Sequence, residues 1–173
     1  MKILFAILMS IFAFNASRLQ AQECESNAIN FRLDPFSLVA DSVSAGIDLE
    51  LTKQISLGID AGYTHNTELT TGTKGKAYNG GLRLTYYADS MRDDSFITSV
   101  GINKSQVSLK DGDIKEQTQA ITGDIKAGYR WIWDRGFNVQ MAGGFGQTRF
   151  TDSEHIKSRH LVPVAEFSFG YQI

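Results

Sequence analysis

Strict alternation of apolar and polar residues is the feature of this sequence that most restricts its fold. In residues 43–51 one set of alternate positions is apolar throughout: Val43, Ala45, Ile47, Leu49 and Leu51. The same period resumes in residues 55–64. A period of two puts successive side chains on opposite faces of an extended chain, whereas a helical face repeats roughly every 3.6 residues. The pattern therefore predicts strands with one apolar face.

Eight segments carry this alternation, and no segment with a helical period interrupts them. The predicted strands cover residues 28–40, 43–51, 55–65, 76–88, 95–109, 114–133, 137–151 and 158–173. In the fifth segment the apolar positions change face, which predicts a bulge or twist near Asn103–Ser105. Short connections such as Asp134-Arg135-Gly136, a hairpin with Gly136 in the left-handed conformation, favour antiparallel pairing of sequential strands. Because such a sheet hides its edges by closing, we predict an all-β, eight-stranded antiparallel up-and-down barrel.

The first residues have the layout of a secretory signal peptide. Lys2 supplies a positive charge, and Ile3–Phe14 is an apolar run of 12 residues followed by polar ones. This run is too short for a membrane-spanning helix, which needs about 20 residues. We therefore expect residues 1–21 to be a signal peptide and residues 22–173 to form an exported barrel domain.

Composition and charge exclude several functional classes. A net charge of −2 and an isoelectric point near 5.9 give no basic footprint, so nucleic acid is not an expected partner. One cysteine excludes an internal disulfide and a cysteine-rich metal module. A mean hydropathy of −0.18 argues against a bundle of membrane-spanning helices. His65, His155 and His160 lack the paired spacing of a zinc motif, so neither a metal nor another cofactor is expected.

Alternation alone does not say whether the apolar face lies inside or outside the barrel. A secreted, soluble lipocalin-like barrel would bury that face to bind a ligand, whereas a membrane barrel would turn it towards lipid. The polar face here is rich in glycine and serine, which suit a narrow lumen. Large aromatic residues should collect at one end as a membrane-interface girdle: Tyr86, Phe96, Tyr129, Trp131, Trp133, Phe137, Phe169 and Tyr171. We favour the membrane barrel and keep the soluble ligand-binding barrel as the alternative.

The last predicted strand ends in alternating aromatic residues: Phe167, Phe169 and Tyr171, followed by Ile173. This ending resembles the C-terminal assembly signal of bacterial outer-membrane barrels, most of which have Phe at the last position. The whole mature chain resembles small eight-stranded outer-membrane proteins of the OmpA transmembrane-domain and OmpX kind. Within that group it looks most like uncharacterised barrels with a Tyr-x-Trp…Gly-Phe hairpin, here Tyr129-Arg130-Trp131 and Gly136-Phe137.

This resemblance implies both a location and a set of partners. It implies a bacterial outer-membrane protein that contacts outer-membrane lipid and lipopolysaccharide. It also implies that barrel-assembly machinery recognises the last strand. The sequence names no surface partner.

With the apolar face outside, ten charged residues point inward, six acidic and four basic. They are Arg32, Asp34, Asp48, Glu50, Asp60, Arg83, Asp124, Lys126, Arg130 and Glu166. An isolated charge is costly in a narrow interior, and eight strands enclose only enough space for side chains. We therefore predict a plugged, salt-bridged lumen rather than a pore, with Glu50 or Glu166 paired to Arg83 or Arg130.

Two functional hypotheses follow from this architecture. The first is a non-enzymatic structural or surface-interaction role. The strands around residues 110–113 exceed the 9–11 residues that a bilayer needs, so they should project as a hairpin with an edge open to a partner strand. The alternative is an outer-membrane lipid-modifying enzyme, with Ser158 as nucleophile, His160 as base and Asp152 or Glu154 as the orienting carboxylate. Against this alternative, alternation directs Ser158 and His160 inward, and the His-x-Ser-Asn signature of the lipid A deacylases is missing.

Overall fold

The computed structural model describes residues 28–35, 42–68, 74–111, 114–150 and 160–173. They form the predicted closed antiparallel barrel, in which each strand pairs with the next and the last pairs with the first. The strands are β1 (Ile29–Asp34), β2 (Ser42–Thr52), β3 (Ile55–Glu68), β4 (Lys74–Tyr87), β5 (Ser95–Asp111), β6 (Ile114–Ile132), β7 (Phe137–Phe150) and β8 (His160–Gln172). Closure is continuous: β8 pairs with β7 along its length and with β1 from Phe169 to Gln172.

The two ends of the barrel differ in their connections. At one end, called the turn end, lie the short connections β2–β3, β4–β5 and β6–β7, together with Ala28 and Ile173. At the opposite loop end, the chain passes through residues 36–41, 69–73, 112–113 and 151–159, which are outside the described residues. No helix in the described part of the chain is long and apolar enough to cross a membrane.

The β6–β7 connection is a tight 3-10 turn at Asp134–Gly136. Gly136 has φ of +85° and Arg135 has φ of +71°, so both adopt the left-handed conformation that was predicted for the glycine alone. A Cβ on residue 136 would collide with the backbone oxygen of Gln172. The turn closes with a hydrogen bond from the Trp133 N–H to the Phe137 oxygen at 2.8 Å.

Side-chain parity holds along the whole of β5, and this corrects the predicted bulge near Asn103–Ser105. The register of β5 against β4 and β6 runs without a shift from Ile97 to Lys110. Val107 therefore faces the interior and is buried. The bulge was inferred because Val107 is apolar and was expected to face outward. Above the apolar part of the wall, an apolar side chain need not face outward. The register shifts instead at the β2–β3 turn and in β3 between Thr64 and Thr67.

The first strand is shorter than the predicted range 28–40. β1 ends at Asp34, and Pro35 lies in a turn. Proline has no N–H to donate to the ladder, which accounts for the strand ending before it.

The longest strands are β5 and β6, which are 17 and 19 residues long and meet at the loop end.

Candidate functional site

Ion pairs cross the middle of the lumen. Arg32 on β1 donates hydrogen bonds to Asp48 (2.5 Å) and Asp60 (2.8 Å), and a third to Glu166 on β8 (3.2 Å). Arg83 on β4 donates to the other oxygen of Asp60 (2.8 Å) and to Glu166 (2.6 Å). Because β4 and β8 lie opposite each other in an eight-stranded ring, the Arg83–Glu166 pair spans the diameter of the lumen.

Glu166 is the common acceptor of this network. Besides the two arginines, it accepts hydrogen bonds from Lys126 Nζ at 2.6 Å and Gln140 Nε2 at 3.0 Å. Lys126 Nζ also lies 3.6 Å from Asp124 Oδ1, and Asn103 donates to the other oxygen of Asp124 at 3.2 Å. Burial of so many charges is tolerable because each has an opposite charge beside it and most of their polar atoms are hydrogen-bonded. Asp124 Oδ1 is the exception among the atoms of this network, because it accepts no hydrogen bond from the described residues.

A small polar cavity lies on the loop-end side of the network. Its volume is about 160 Å³. Arg32, Arg83 and Glu166 form part of its lining, and Asn79 and Asp34 line it nearer the loop end. A water molecule occupies about 30 Å³ of liquid, so this cavity holds only a few waters.

Packed side chains close the lumen at the turn end. Tyr87, Met91 and Ile97 form a buried apolar cluster there. The Met91 N–H donates to the Lys53 oxygen at 2.6 Å, which fastens the β4–β5 connection against the β2–β3 turn. The Tyr87 hydroxyl lies 3.3 Å from that of Ser56. The barrel is therefore blocked both by ion pairs at its middle and by this cluster at its turn end.

Of the predicted pairings, that of Glu166 with Arg83 is observed, whereas Glu50 pairs with neither Arg83 nor Arg130. Glu50 pairs with Arg92, whose Nη2 lies 2.9 Å from its carboxylate. Arg130 is 0% exposed; it donates to the Tyr87 hydroxyl at 3.3 Å and to Gln172 at 2.7 Å, and its guanidinium lies 5.5 Å from the Tyr87 ring centroid. No carboxylate of the described residues forms an ion pair with Arg130. Sequence reasoning missed Arg92 because it belongs to a connection rather than to a strand.

Glycines on the inner face leave room for the polar side chains of the lumen. Six of them are in register with an Asn or Asp on the neighbouring strand: Gly46 with Asp60, Gly58 with Asp48, Gly62 with Asn79, Gly81 with Asn103, Gly101 with Asp124 and Gly170 with Asn138. In each case a Cβ on the glycine would meet the partner's side-chain oxygen, at 2.5 Å for Gly58 and 2.9 Å for Gly101. The ion-pair network therefore depends on these glycines for space.

The outer wall is apolar over most of its height. Large hydrophobic side chains from every strand are exposed, among them Ile59 (57%), Ile102 (56%) and Phe145 (57%). Soluble monomers rarely expose contiguous apolar surface on this scale. Over this apolar part of the wall, charged side chains point inward and apolar ones outward, which is the reverse of a lipocalin-like barrel.

The predicted girdle aromatics all lie on the outer wall towards the turn end. Phe96, Tyr129 and Trp131 form one row of rings, with centroid distances of 4.8 and 4.9 Å. Trp133 and Phe137 are 5.7 Å apart. The other predicted members, which take outward positions on neighbouring strands, are Tyr86, Phe169 and Tyr171. The residues of the predicted assembly signal share the outward parity of β8: Phe167, Phe169, Tyr171 and Ile173.

A second aromatic group, which sequence reasoning missed, lies on the outer wall near the loop end. The Tyr63 and Tyr78 rings are 4.9 Å apart, and the Tyr63 hydroxyl lies 3.1 Å from Nδ1 of His65. Both tyrosines are the last large apolar residues on the outward face before polar residues begin. The outward position of each tyrosine could be predicted from the alternation of β3 and β4. The register that brings the two rings together could not.

Most residues of the enzyme alternative, and one of the histidines considered as metal ligands, do not belong to the described part of the chain. Ser158, Asp152, Glu154 and His155 lie outside the described residues. His160 begins β8, where its backbone pairs with Thr148. Within the described ranges, no three His, Cys, Asp or Glu residues form a group that could hold a metal ion.

Comparison with solved structures identifies barrels of the same architecture. The N-terminal β-barrel domain of Pseudomonas aeruginosa OprF superimposes with a TM-score of 0.62 at 14% identity, covering 85% of this chain and 98% of that domain. Neisserial surface protein A (NspA) superimposes with a TM-score of 0.57 at 10% identity, covering 88% of this chain and 99% of NspA. The chain therefore has the fold of small eight-stranded outer-membrane barrel proteins, and the resemblance seen in the sequence is confirmed.

Comparison of the sequence with known proteins adds a family. No curated protein matches the chain. A family model described as "Protein of unknown function (DUF3575)" matches residues 4–168, which is nearly the whole chain. The chain therefore belongs to the DUF3575 family.

Proposed function

We propose that this chain is a bacterial outer-membrane β-barrel protein with a sealed lumen and a non-enzymatic structural or surface-interaction role. The observation that carries the proposal is the sorting of side chains: an apolar wall exposed around the whole barrel encloses a charged interior. In a bilayer the apolar wall contacts lipid rather than water, and inside the barrel the ion pairs compensate the buried charges. With both chain ends of the barrel on the periplasmic side, the loop end faces outside the cell.

The sealed lumen is supported by contacts at two levels. The Arg83–Glu166 pair crosses the barrel at its middle, and Tyr87 and Met91 are almost completely buried at the turn end. The cavity on the loop-end side has a volume of about 160 Å³, and Arg32, Arg83 and Glu166 of the network form part of its lining. An ion would have to break several buried ion pairs to pass, which is costly. We therefore expect the protein to act through the outer surfaces of the barrel and not through its lumen.

The soluble alternative requires an apolar interior for a ligand. The interior of the described barrel is lined by charges and amides instead, and its largest fully buried side chain is Arg130. A soluble barrel with this wall would expose apolar surface to water on all sides.

Cell fractionation combined with gel mobility tests the proposal. We expect the protein in the outer-membrane fraction, with a faster gel mobility before boiling than after, because a closed barrel resists detergent until heated. An Ile59→Lys variant puts a charge at the middle of the wall, and its fast-migrating form should convert to the slow form at a lower temperature than that of the wild type. The control is Lys53→Gln in the β2–β3 turn, which should keep the fast-migrating form. Recovery of the wild-type protein in the soluble periplasm would refute the location.

Conductance across a planar bilayer tests the sealed lumen separately. We expect no steady channel from the purified barrel. A stable open channel of the wild-type protein would contradict the role assigned to the ion pairs while leaving the membrane location intact.

A further inference from the structure

The ion-pair network in the middle of the lumen contains one more carboxylate than it has cations. Among the described residues its cations are Arg32, Arg83 and Lys126, and its carboxylates are Asp48, Asp60, Asp124 and Glu166. Arg130 is also buried in the lumen, but it follows Asp124 by six residues on β6, which is about 20 Å along an extended strand. Arg130 is therefore too far away to neutralise the additional negative charge of the network.

Asp124 is the carboxylate of this network with the weakest compensation. Its ion-pair partner among the described residues is Lys126, whose Nζ lies 3.6 Å from Asp124 Oδ1 but only 2.6 Å from Glu166. Asn103 donates a hydrogen bond to Oδ2 at 3.2 Å, whereas Oδ1 accepts none from the described residues. The Asp124 side chain is 7% exposed. A carboxylate buried to this extent is costly unless further positive charge compensates it.

The polar cavity on the loop-end side of the network brings other oxygen atoms close to this carboxylate. Asp124 lines the cavity together with Asn103 and Asn79 on the two preceding strands, and Asp60 and Ser44 also belong to the lining. The described lining contains no His or Cys. Carboxylate and amide oxygens are typical ligands of hard cations, whereas nitrogen and sulfur ligands favour transition metals. A volume of about 160 Å³ accommodates a small ion with a few water molecules.

The charges around the cavity favour a monovalent cation. The network has one negative charge in excess, so a single positive charge is sufficient to balance it. A second positive charge would be repelled by the ammonium group of Lys126, which lies beside Asp124. A water molecule could donate a hydrogen bond to the carboxylate, but it would leave the excess charge in place. In the described part of the chain no three His, Cys, Asp or Glu residues form a chelating group, which argues against a tightly held divalent ion.

We propose that the lumen cavity binds a small monovalent inorganic cation, Na⁺ or K⁺, with the carboxylate of Asp124 and the amide oxygens of Asn79 and Asn103 as its protein ligands. With this ion bound, four positive charges face the four carboxylates of the network. The ion stabilises the folded barrel and does not have to cross it. This inference goes beyond the surface role proposed above and does not depend on the membrane location.

Thermal unfolding of the detergent-solubilised wild-type barrel in salts of different cation size tests the proposal. Sodium, potassium and N-methyl-D-glucamine chlorides are compared at equal ionic strength, so that the screening of surface charges is the same. The organic cation is too bulky to enter the cavity beside the side chains that line it. We expect the midpoint of unfolding to be about 3 °C higher in the sodium and potassium salts, because a ligand that binds only the folded state stabilises it.

A substitution at the proposed site and a matched control identify where the ion acts. Asp124→Asn removes the additional negative charge of the network, so its midpoint of unfolding should be the same in all three salts. The control Asp93→Asn removes an exposed carboxylate of the β4–β5 connection and should keep the wild-type difference between salts. In crystals of the wild-type protein grown with rubidium chloride, anomalous scattering should locate an ion next to Asp124. This last measurement needs no variant.

Four results would overturn the proposal. They are equal unfolding midpoints of the wild type in all three salts, an Asp124→Asn variant that keeps the full difference, rubidium found only on the exterior of the barrel as an adventitious ion only, and stabilisation by Ca²⁺ but not by Na⁺ or K⁺. Each of them leaves the proposed location intact, because the barrel is tested in detergent. Recovery of the protein in the soluble periplasm would refute the location without affecting this inference.

Discussion

Replacing Glu166 by glutamine removes the negative charge on which three cations converge, while it preserves the volume of the side chain. Arg32, Arg83 and Lys126 all donate to this carboxylate, and the Glu166 side chain is 7% exposed. The amide keeps one acceptor oxygen, but its NH₂ group faces donors. The substitution therefore leaves buried positive charge without its partner.

The size of the effect follows from what each cation retains. Arg32 keeps Asp48 and Asp60, and Arg83 keeps Asp60. Lys126 keeps only Asp124, at 3.6 Å. Removing one partner of a buried ion pair costs about 3–5 kcal/mol. Because two of the three cations keep a close carboxylate, we expect a loss near the lower limit, ~3 kcal/mol, and most of it at Lys126.

Urea unfolding of the barrel in lipid vesicles, followed by tryptophan fluorescence, measures this loss. The control Asp93→Asn removes an exposed carboxylate in the β4–β5 connection and should change the free energy of unfolding by less than about 0.5 kcal/mol. Adding both Lys126→Met and Asp124→Asn to Glu166→Gln should recover at least ~1 kcal/mol, because the stranded cation and its remaining carboxylate are then both gone. If Glu166→Gln unfolds at the wild-type urea concentration, or if the two added substitutions make it less stable, the reasoning about the network is wrong.

Three further substitutions test other parts of the barrel. Gly144→Ala should lower the free energy of unfolding by about 1–3 kcal/mol, because its Cβ would collide with the Ile125 oxygen. The control Gly143→Ala should leave the stability unchanged, because the nearest atom to its Cβ is 3.9 Å away. Equal stabilities of the two variants would contradict the assignment of inner and outer faces. Ile59→Lys should cost about 2–4 kcal/mol in vesicles, and a cost near zero would place this residue outside the bilayer. Met91→Ala should cost about 2–4 kcal/mol by opening a cavity in the turn-end cluster; unchanged thermal unfolding would show that the cluster is not packed.

The alternation of the sequence was sufficient to predict which residues face the lumen. The alternation alone placed Arg32, Arg83 and Glu166 on the inner face, because successive side chains of a strand point to opposite faces of the sheet. It also placed the eight girdle aromatics on the outer wall. The number of strands followed from the number of alternating segments, since closure removes both edges.

The partners of the lumen charges could not be predicted in the same way. Which carboxylate meets Arg83 depends on the stagger between strands and on contacts across the barrel, and neither leaves a periodic signal in the sequence. Glu50 was therefore assigned to the wrong cation, and Arg92 was overlooked. The error at Val107 had a different cause: the rule that apolar residues face outward applies only along the apolar part of the outer wall, and Val107 lies beyond that part.

The position of Glu166 on the last strand couples the ion pairs of the lumen to closure of the barrel. Arg32, Arg83 and Lys126 belong to β1, β4 and β6, but their shared acceptor arrives only with β8. Without β8 in place, the three cations would lack this carboxylate, so closing the seam between β8 and β1 also pairs the charges of the lumen. Opening the seam would therefore cost ion pairs inside the barrel as well as backbone hydrogen bonds at its edge.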